Sequence, residues 1–258
     1  MINPFFRYVP IVGLLAIISL NSMAQAPQTS PGALVYSASS AWEKVVLKPA
    51  TQAASVRRAN IPVPTATTDF RPAFTGDFVT NRNYWRAGNI GDYRYQIGRG
   101  SYSIRKRNVY TQKAAFSSVA LPQDINLNRA EVFTIKVDVL ADSGKVPTGG
   151  ILFGVKDSLN FCAFTTNGRG DVSIKRVANG ETFADYMPGA YFRPGVPVDK
   201  NRNRLTIKRR GEYLHFYINE QEVRSSPYLF RILPGNGIGF TSSGYWTAFQ
   251  KLIVTVGL

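Results

Sequence analysis

The clearest structural signal in this chain is the run Asn203-Arg-Leu-Thr-Ile-Lys-Arg-Arg-Gly-Glu-Tyr-Leu-His-Phe-Tyr-Ile-Asn219. Apolar and polar side chains alternate along both of its halves, and a turn signal at Arg210-Gly211 separates them. Because successive side chains of a β-strand point to opposite faces, this period of two predicts an antiparallel hairpin. The apolar set shares one face, which we expect to be buried: Leu205, Ile207, Leu214, Phe216 and Ile218.

The opposite face of this hairpin combines cations with aromatic rings. Rings stack on the apolar faces of sugars, and cations pair with sulfate or uronate groups. This composition predicts a glycan-binding surface formed by Arg204, Lys208, Tyr213, His215 and Tyr217. A solvated sheet face is the alternative interpretation, since tyrosine and threonine are common in strands in any case.

Strand signals of the same kind recur on both sides of the hairpin. No long window shows the 3.6-residue period of an amphipathic helix, so strands without intervening helices predict an all-β, antiparallel sandwich or barrel. The predicted strands are Tyr93–Ile97, Tyr102–Val109, Ala115–Leu121, Glu131–Val139, Gly150–Val155, Asn160–Thr165, Val172–Val177, Arg204–Arg210, Tyr213–Ile218, Gly237–Thr241 and Ala248–Val256.

Several short motifs around these strands resemble one known group of proteins. They are Asp77-Phe78 with Asn83-Tyr-Trp85, Gly100-Ser-Tyr-Ser-Ile104, Gly150-Ile-Leu-Phe-Gly154 followed by Asp157 and Asn160-Phe161, and Val223 with Gly237-Ile-Gly-Phe240 after the hairpin. Together they resemble the concanavalin A-like lectin/glucanase (LamG-like) superfamily over residues 74–258. The resemblance implies an antiparallel jelly-roll sandwich with Trp85 packed at a strand edge, and it says little about function.

The chain departs from that group at two places. The group often has Asn-Gly at a turn where this chain has Asn219-Glu220, and because glutamate tolerates positive φ poorly we expect a different type of turn here. The group also often has Asp-Asp where this chain has Gln250-Lys251. We therefore expect no metal site at that position.

The residues that catalysis would require are scarce. Glucanases of this superfamily resemble one another in a Glu-x-Asp-x-Glu strand, whose carboxylates share one face and flank the glycosidic bond, and this chain has no such triplet. A single histidine and a single cysteine exclude sites that need two of either. We assign no catalytic residue and no cofactor, and we expect Cys162 to be a buried, inert thiol. Hydrolysis by carboxylates from different strands is the alternative.

A second basic stretch lies near the start of the predicted sandwich. Between Arg82 and Lys113 there are eight cations and one acid, Asp92, with tyrosines interleaved. Basic residues with interleaved rings can bind a polyanion. A basic surface that only aids solubility is the alternative.

The N-terminal part of the chain predicts export. Residues 1–24 have the form of a secretory signal peptide, because the apolar run Ile11–Leu20 follows Arg7 and is too short to span a bilayer. Residues 25–73 are predicted to be a low-complexity lead with a short helix at most, and residues 74–258 the sandwich. Loss of Arg7 lowers the formal net charge from +15 to +14.

Charge and compartment together predict the partner. A strongly basic protein favours anionic partners, and export to the periplasm or the extracellular space favours an anionic polysaccharide or another envelope polymer over cytosolic nucleic acid. We expect no transmembrane span after cleavage. The sequence therefore predicts a non-catalytic, lectin-like module for an anionic glycan. A glycoside hydrolase and an envelope protein-interaction module are the alternatives.

Overall fold

The computed structural model of this 258-residue chain describes residues 71–183, 191–224 and 226–257. The predicted signal peptide and nearly all of the predicted lead lie outside the described residues. Within the described part, every regular element is a β-strand. No helix there is long and apolar enough to cross a membrane.

The strands form two antiparallel sheets, which confirms the predicted β-sandwich. Sheet A has the order β13-β12-β11-β6-β16-β4-β3-β2, with β1 also paired to β16 and β14 to β12. Its strands are β1 (Arg71–Gly76), β2 (Gly88–Ile90), β3 (Tyr93–Gly98), β4 (Ser101–Lys106), β6 (Val132–Ala141), β11 (Arg202–Arg210), β12 (Tyr213–Ile218), β13 (Gln221–Glu222), β14 (Tyr228–Leu229) and β16 (Trp246–Gly257).

Sheet B has six strands in the order β10-β9-β8-β7-β15-β5. They are β5 (Ala115–Ala120), β7 (Gly149–Asp157), β8 (Asn160–Thr166), β9 (Val172–Ala178), β10 (Glu181–Phe183) and β15 (Gly237–Ser242). Gly150 and Gly239 allow the close approach of β7, β8, β15 and β5, because a Cβ at either position would lie within 2.5 Å of a neighbouring carbonyl oxygen.

The inner faces of the two sheets form the core. The apolar set predicted from the hairpin is buried completely, and Phe216 packs against Phe164 of sheet B with ring centroids 5.2 Å apart. Burial of each such side chain contributes about 2–3 kcal/mol to folding. Cys162 is also buried, as predicted. The direction in which the hairpin faces is thus confirmed, and its polar face is the outer face of sheet A.

Four aromatic side chains of the second basic stretch lie in the core. Trp85, Tyr95 and Tyr102 are buried, and Trp85 stacks on Phe240 with centroids 4.9 Å apart. Tyr93 donates a hydrogen bond to the Lys113 carbonyl, and burial raises the pKa of Tyr93 to about 12. The interleaving with cations is therefore mainly strand alternation, which directs rings inward and charges outward. The idea of a second basic and aromatic binding surface is wrong for Tyr93, Tyr95 and Tyr102, whereas Trp85 is packed as the resemblance implied.

The turn after the main hairpin also differs from expectation. Asn219 and Glu220 have φ values of 49° and 65°, so both adopt the left-handed conformation that suits Asn-Gly, and the predicted change of turn type is wrong. Asn219 is held in place because its amide donates to Asp199 and Asn203 and its Oδ1 accepts from the Arg204 backbone N–H. A local anchor therefore offsets the strain at Glu220.

The sandwich begins slightly earlier than the sequence pattern indicates. β1 starts at Arg71, and its backbone pairs with β16 from Arg71 opposite Val256 to Gly76 opposite Leu252. The predicted boundary at residue 74 falls inside this strand. β1 is too short to show a clear alternation of polar and apolar side chains, so its sequence alone does not predict that it pairs with β16.

Candidate functional site

The five residues of the predicted glycan surface lie together on the outer face of sheet A. Arg204 and Lys208 belong to β11, and the three rings belong to β12. In the register of the two strands, Lys208 lies directly opposite His215 and Arg210 opposite Tyr213. Side chains at such positions are within contact distance of one another.

Two of the predicted rings are already engaged by neighbours. The Lys208 Nζ lies 4.6 Å from the centroid of the Tyr217 ring, and the His215 ring stacks beside Tyr217 at 6.4 Å. Burial, together with the nearby Glu222 carboxylate, raises the pKa of Tyr217. Tyr213 is the more open ring, with 49% of its surface exposed. Among the three, Tyr213 is therefore best placed for stacking.

Arg204 is held by a buried carboxylate. Its Nε donates to Asp138 Oδ1 at 2.8 Å, and Arg202 forms a second ion pair with Asp138, whose side chain is only 1% exposed. Burial alone would raise the pKa of Asp138, but hydrogen bonds from Arg204 and Arg202 lower it below its usual range. Two arginines around one carboxylate leave a net positive charge at the surface.

His215 connects β12 to the segment that follows β13. Its Nδ1 lies 2.7 Å from Glu222 Oε1, and the Ser226 hydroxyl donates to the same oxygen at 2.7 Å. Ser226 in turn accepts a hydrogen bond from the Phe216 backbone N–H. The three side chains therefore form a local support beneath the aromatic face.

A groove of about 700 Å³ runs over the middle of this face. It lies across β11, β6 and β16, where Lys208 faces Thr134 and Thr134 faces Thr255. Within the described part of the chain its lining residues include four cations and no acid: Val132, Thr134, Lys136, Lys208, Arg209, Arg210, Gly211, Ile253 and Thr255. Of the five predicted residues, Lys208 lines the groove, and the other four lie on the same face outside its lining.

The sequence interpretation missed most of the residues that line this groove. Lys136 and Ile253 are distant from the hairpin in sequence and reach it only through the pairing of β6 with β11 and β16. The alternation of Thr134 and Lys136 with apolar neighbours would have placed both on a polar face. It could not have shown which strand lies beside them.

One of the four cations is occupied by other contacts. The Arg209 guanidinium lies over the Phe230 ring at 3.5 Å, and its NH1 donates to the carbonyls of Leu127 and Asn128. Burial lowers the pKa of Arg209. The outward-facing cations of the groove are therefore Lys136, Lys208 and Arg210.

The outer face of sheet B differs in character. Leu152, Val155 and Ala163 form a small apolar cluster there, separate from the main core, and Phe116 and Phe161 pack against it. The two phenylalanine rings lie 5.5 Å apart at a recess of about 350 Å³ that Lys175 and Tyr191 also line. The sequence interpretation did not single out this recess.

The described residues hold few groups suited to acid–base or metal chemistry. Neither the groove on sheet A nor the recess on sheet B has an Asp or Glu among the described residues that line it. Across residues 71–183, 191–224 and 226–257, no three His, Cys, Asp or Glu side chains are grouped closely enough to bind a metal ion.

Comparison with known proteins yields structural similarity only. No family model and no curated protein matches the sequence. Similar solved structures include carbohydrate-binding module CBM66 from Bacillus subtilis, with 18% identity over 66% of this chain and 94% of that one, at a TM-score of 0.44. A protein of unknown function with a galectin-like fold from Bacillus subtilis has 12% identity over 73% of this chain and 100% of that one, at a TM-score of 0.47.

A third similar structure is the catalytic domain of a laminarinase from Thermotoga petrophila RKU-1. It has 12% identity over 73% of this chain and 98% of that one, at a TM-score of 0.42. All three TM-scores lie below 0.5. At such identities the likeness concerns the fold alone.

Proposed function

We propose that this protein is an exported, non-catalytic carbohydrate-binding module that holds an anionic glycan on the outer face of sheet A. The observation that carries the proposal is the charge of the groove, whose described lining residues include three outward-facing cations, Lys136, Lys208 and Arg210, and no acid. The resemblance of the sequence to lectin-like sandwiches supports a glycan as the polyanion. The predicted signal peptide supports a partner in the envelope or outside the cell.

The spacing of the outward-facing cations suits a linear polyanion. Lys208 and Arg210 alternate along β11, so their Cα atoms are roughly 7 Å apart. Lys136 is the diagonal cross-strand neighbour of Lys208, at roughly 7–8 Å. A chain with repeated sulfate or carboxylate groups can follow such a row, and the planar guanidinium of Arg210 can bind either group through two hydrogen bonds.

The floor and rim of the groove suit a sugar ring. Val132 and Ile253 offer apolar contact, and Thr134 and Thr255 offer hydroxyl groups. At the rim, Tyr213 is open for stacking. The proposal therefore keeps Arg204, Lys208, Tyr213, His215 and Tyr217 as glycan-binding residues, with Lys208 in the groove and the other four around it.

Binding measured by titration calorimetry tests this proposal. We expect a sulfated or polyuronate oligosaccharide to bind, and a neutral β-glucan to bind much more weakly. Affinity should fall steeply between low and moderate salt, because exposed charges are screened over about 10 Å at 0.1 M ionic strength. The double change Lys208→Ala, Arg210→Ala should weaken binding roughly tenfold and flatten this salt dependence.

A matched control removes the same charge elsewhere. Arg94 in β3 and Lys156 in β7 are exposed and do not line the groove, so Arg94→Ala, Lys156→Ala should change affinity by less than about twofold. An equal loss of affinity in both double variants would mean that the overall charge of the protein, and not the groove, accounts for the effect. Release of reducing sugar would support the hydrolase alternative, and failure to bind any glycan would support the protein-interaction alternative.

A further inference from the structure

We propose an anion subsite at the end of the groove next to the β12–β13 turn, formed by Lys136, Arg204 and the Thr206 hydroxyl. In this structure the carboxylate of Glu220 lies at that subsite, where it acts as an internal competitor for a sulfate or carboxylate of the ligand. The inference rests on the proposed function and adds to it the position of one charged group of the glycan.

The position of the Glu220 carboxylate is the first observation. Its Oε1 lies 3.7 Å from the Lys136 Nζ and 3.8 Å from the Arg204 NH1. Both distances are longer than a well-formed hydrogen bond, so the two cations hold the carboxylate mainly by charge attraction. All three side chains are between 36% and 52% exposed. A ligand oxygen that made full hydrogen bonds would therefore displace it readily.

The backbone of Glu220 is the second observation. Its φ of 65° is left-handed, a conformation in which a residue with a Cβ is strained and glycine is not. Glycine would serve the turn better but would carry no carboxylate. Strain that persists at the edge of a binding surface points to a role for the side chain.

Thr206 supplies the third observation. Its side chain is completely buried, and within the described part of the chain its Oγ1 has no hydrogen-bond partner. On the outer face Thr206 lies directly opposite Lys136 and two residues from Arg204, the two cations that Glu220 approaches. A buried hydroxyl without a partner is unfavourable. An anion held between these cations would accept a hydrogen bond from it.

Replacing Glu220 with glutamine, which has the same shape but no charge, separates this inference from a simpler one, because the two predict different changes in glycan affinity. If Glu220 only stabilises the turn, its replacement leaves glycan affinity unchanged or lowers it. If Glu220 competes with the ligand, Glu220→Gln strengthens binding of a sulfated oligosaccharide by about three- to tenfold. Lys136→Ala should weaken binding and should abolish the gain from Glu220→Gln when the two are combined.

Glu181→Gln is the matched control. It makes the same change of charge, but Glu181 is an exposed residue of β10 in sheet B and is not among the groove's lining residues. We expect less than about a twofold change in affinity from it. An equal gain in both variants, or no gain from Glu220→Gln, would overturn the subsite while the proposed function stood.

Inorganic sulfate tests the subsite independently of any glycan. The full chain and both variants are melted in sodium sulfate and in sodium chloride of equal ionic strength. We expect sulfate to raise the Tm more in Glu220→Gln than in the parent or in Glu181→Gln, because ligands stabilise the folded state to which they bind. If no glycan binds but this difference is found, the proposed function fails and the subsite stands. If sulfate stabilises all three equally, the subsite fails.

Discussion

The outer faces of the two sheets carry opposite kinds of surface. On sheet A a cationic groove lies over threonine hydroxyls and a few apolar side chains. On sheet B two phenylalanines cover Leu152 and Ala163, which are as buried as the main core. The difference follows from the strands themselves, since β11 and β12 alternate whereas β7 is buried along most of its length. A strand buried on both faces has a nearly continuous apolar sequence.

This contrast separates two modes of recognition. The face of sheet A offers repeated positive charges, which attract any polyanion and depend on salt. The face of sheet B offers aromatic contact with a single cation, Lys175, among the lining residues that the structure describes. One face is charged and the other is aromatic. The salt dependence of binding can therefore show which face a ligand uses.

The largest expected effect tests which side of the main hairpin faces inward. Phe216→Ala should reduce the free energy of unfolding by about 3–5 kcal/mol, because it removes a ring that contacts Phe153 and Phe164 across the core. Tyr217→Ala should cost less than about 1.5 kcal/mol. Denaturant unfolding measures both changes. A larger loss for Tyr217→Ala would mean that the faces of sheet A are assigned the wrong way round.

The next effect tests the core-like character of the outer face of sheet B. Leu152→Ala should destabilise the fold by about 2–4 kcal/mol, because Leu152 is fully buried beneath half-buried rings. Thr134→Ala, at a central position on the outer face of sheet A, should cost less than about 1 kcal/mol. Similar losses in the two variants, measured in the same denaturant titration, would remove the distinction between the faces.

A smaller effect concerns the buried charge beside the groove. The pKa of Asp138 is lowered in the folded state, so its ion pairs stabilise the protein above the unfolded pKa of about 4 and this contribution is lost as pH falls through the folded value. Asp138→Asn should cost about 1–2 kcal/mol near neutral pH. The difference from the parent should shrink below about pH 4. A difference independent of pH would show that packing, not charge, is what the substitution removes.

Local alternation was sufficient for the inner and outer faces of the main hairpin. Leu205, Phe216 and Ile218 could be assigned to the core because a strand has a period of two whatever its partner. The same rule, applied to Tyr93, Tyr95 and Tyr102, would have placed these rings inside. That stretch was interpreted from its composition, which does not show whether the rings point inward or outward.

The make-up of the groove was decided by tertiary structure. Lys208, Lys136 and Ile253 come from three strands that are distant in sequence, and only the pairing of β6 with β11 and β16 brings them together. The position of the Glu220 carboxylate depends likewise on a turn anchored by Asn219 to side chains before and within β11. A chain's own periodicity determines which way each side chain points. Which strand lies beside it depends on non-local packing, and a single sequence does not encode that pairing in any local pattern.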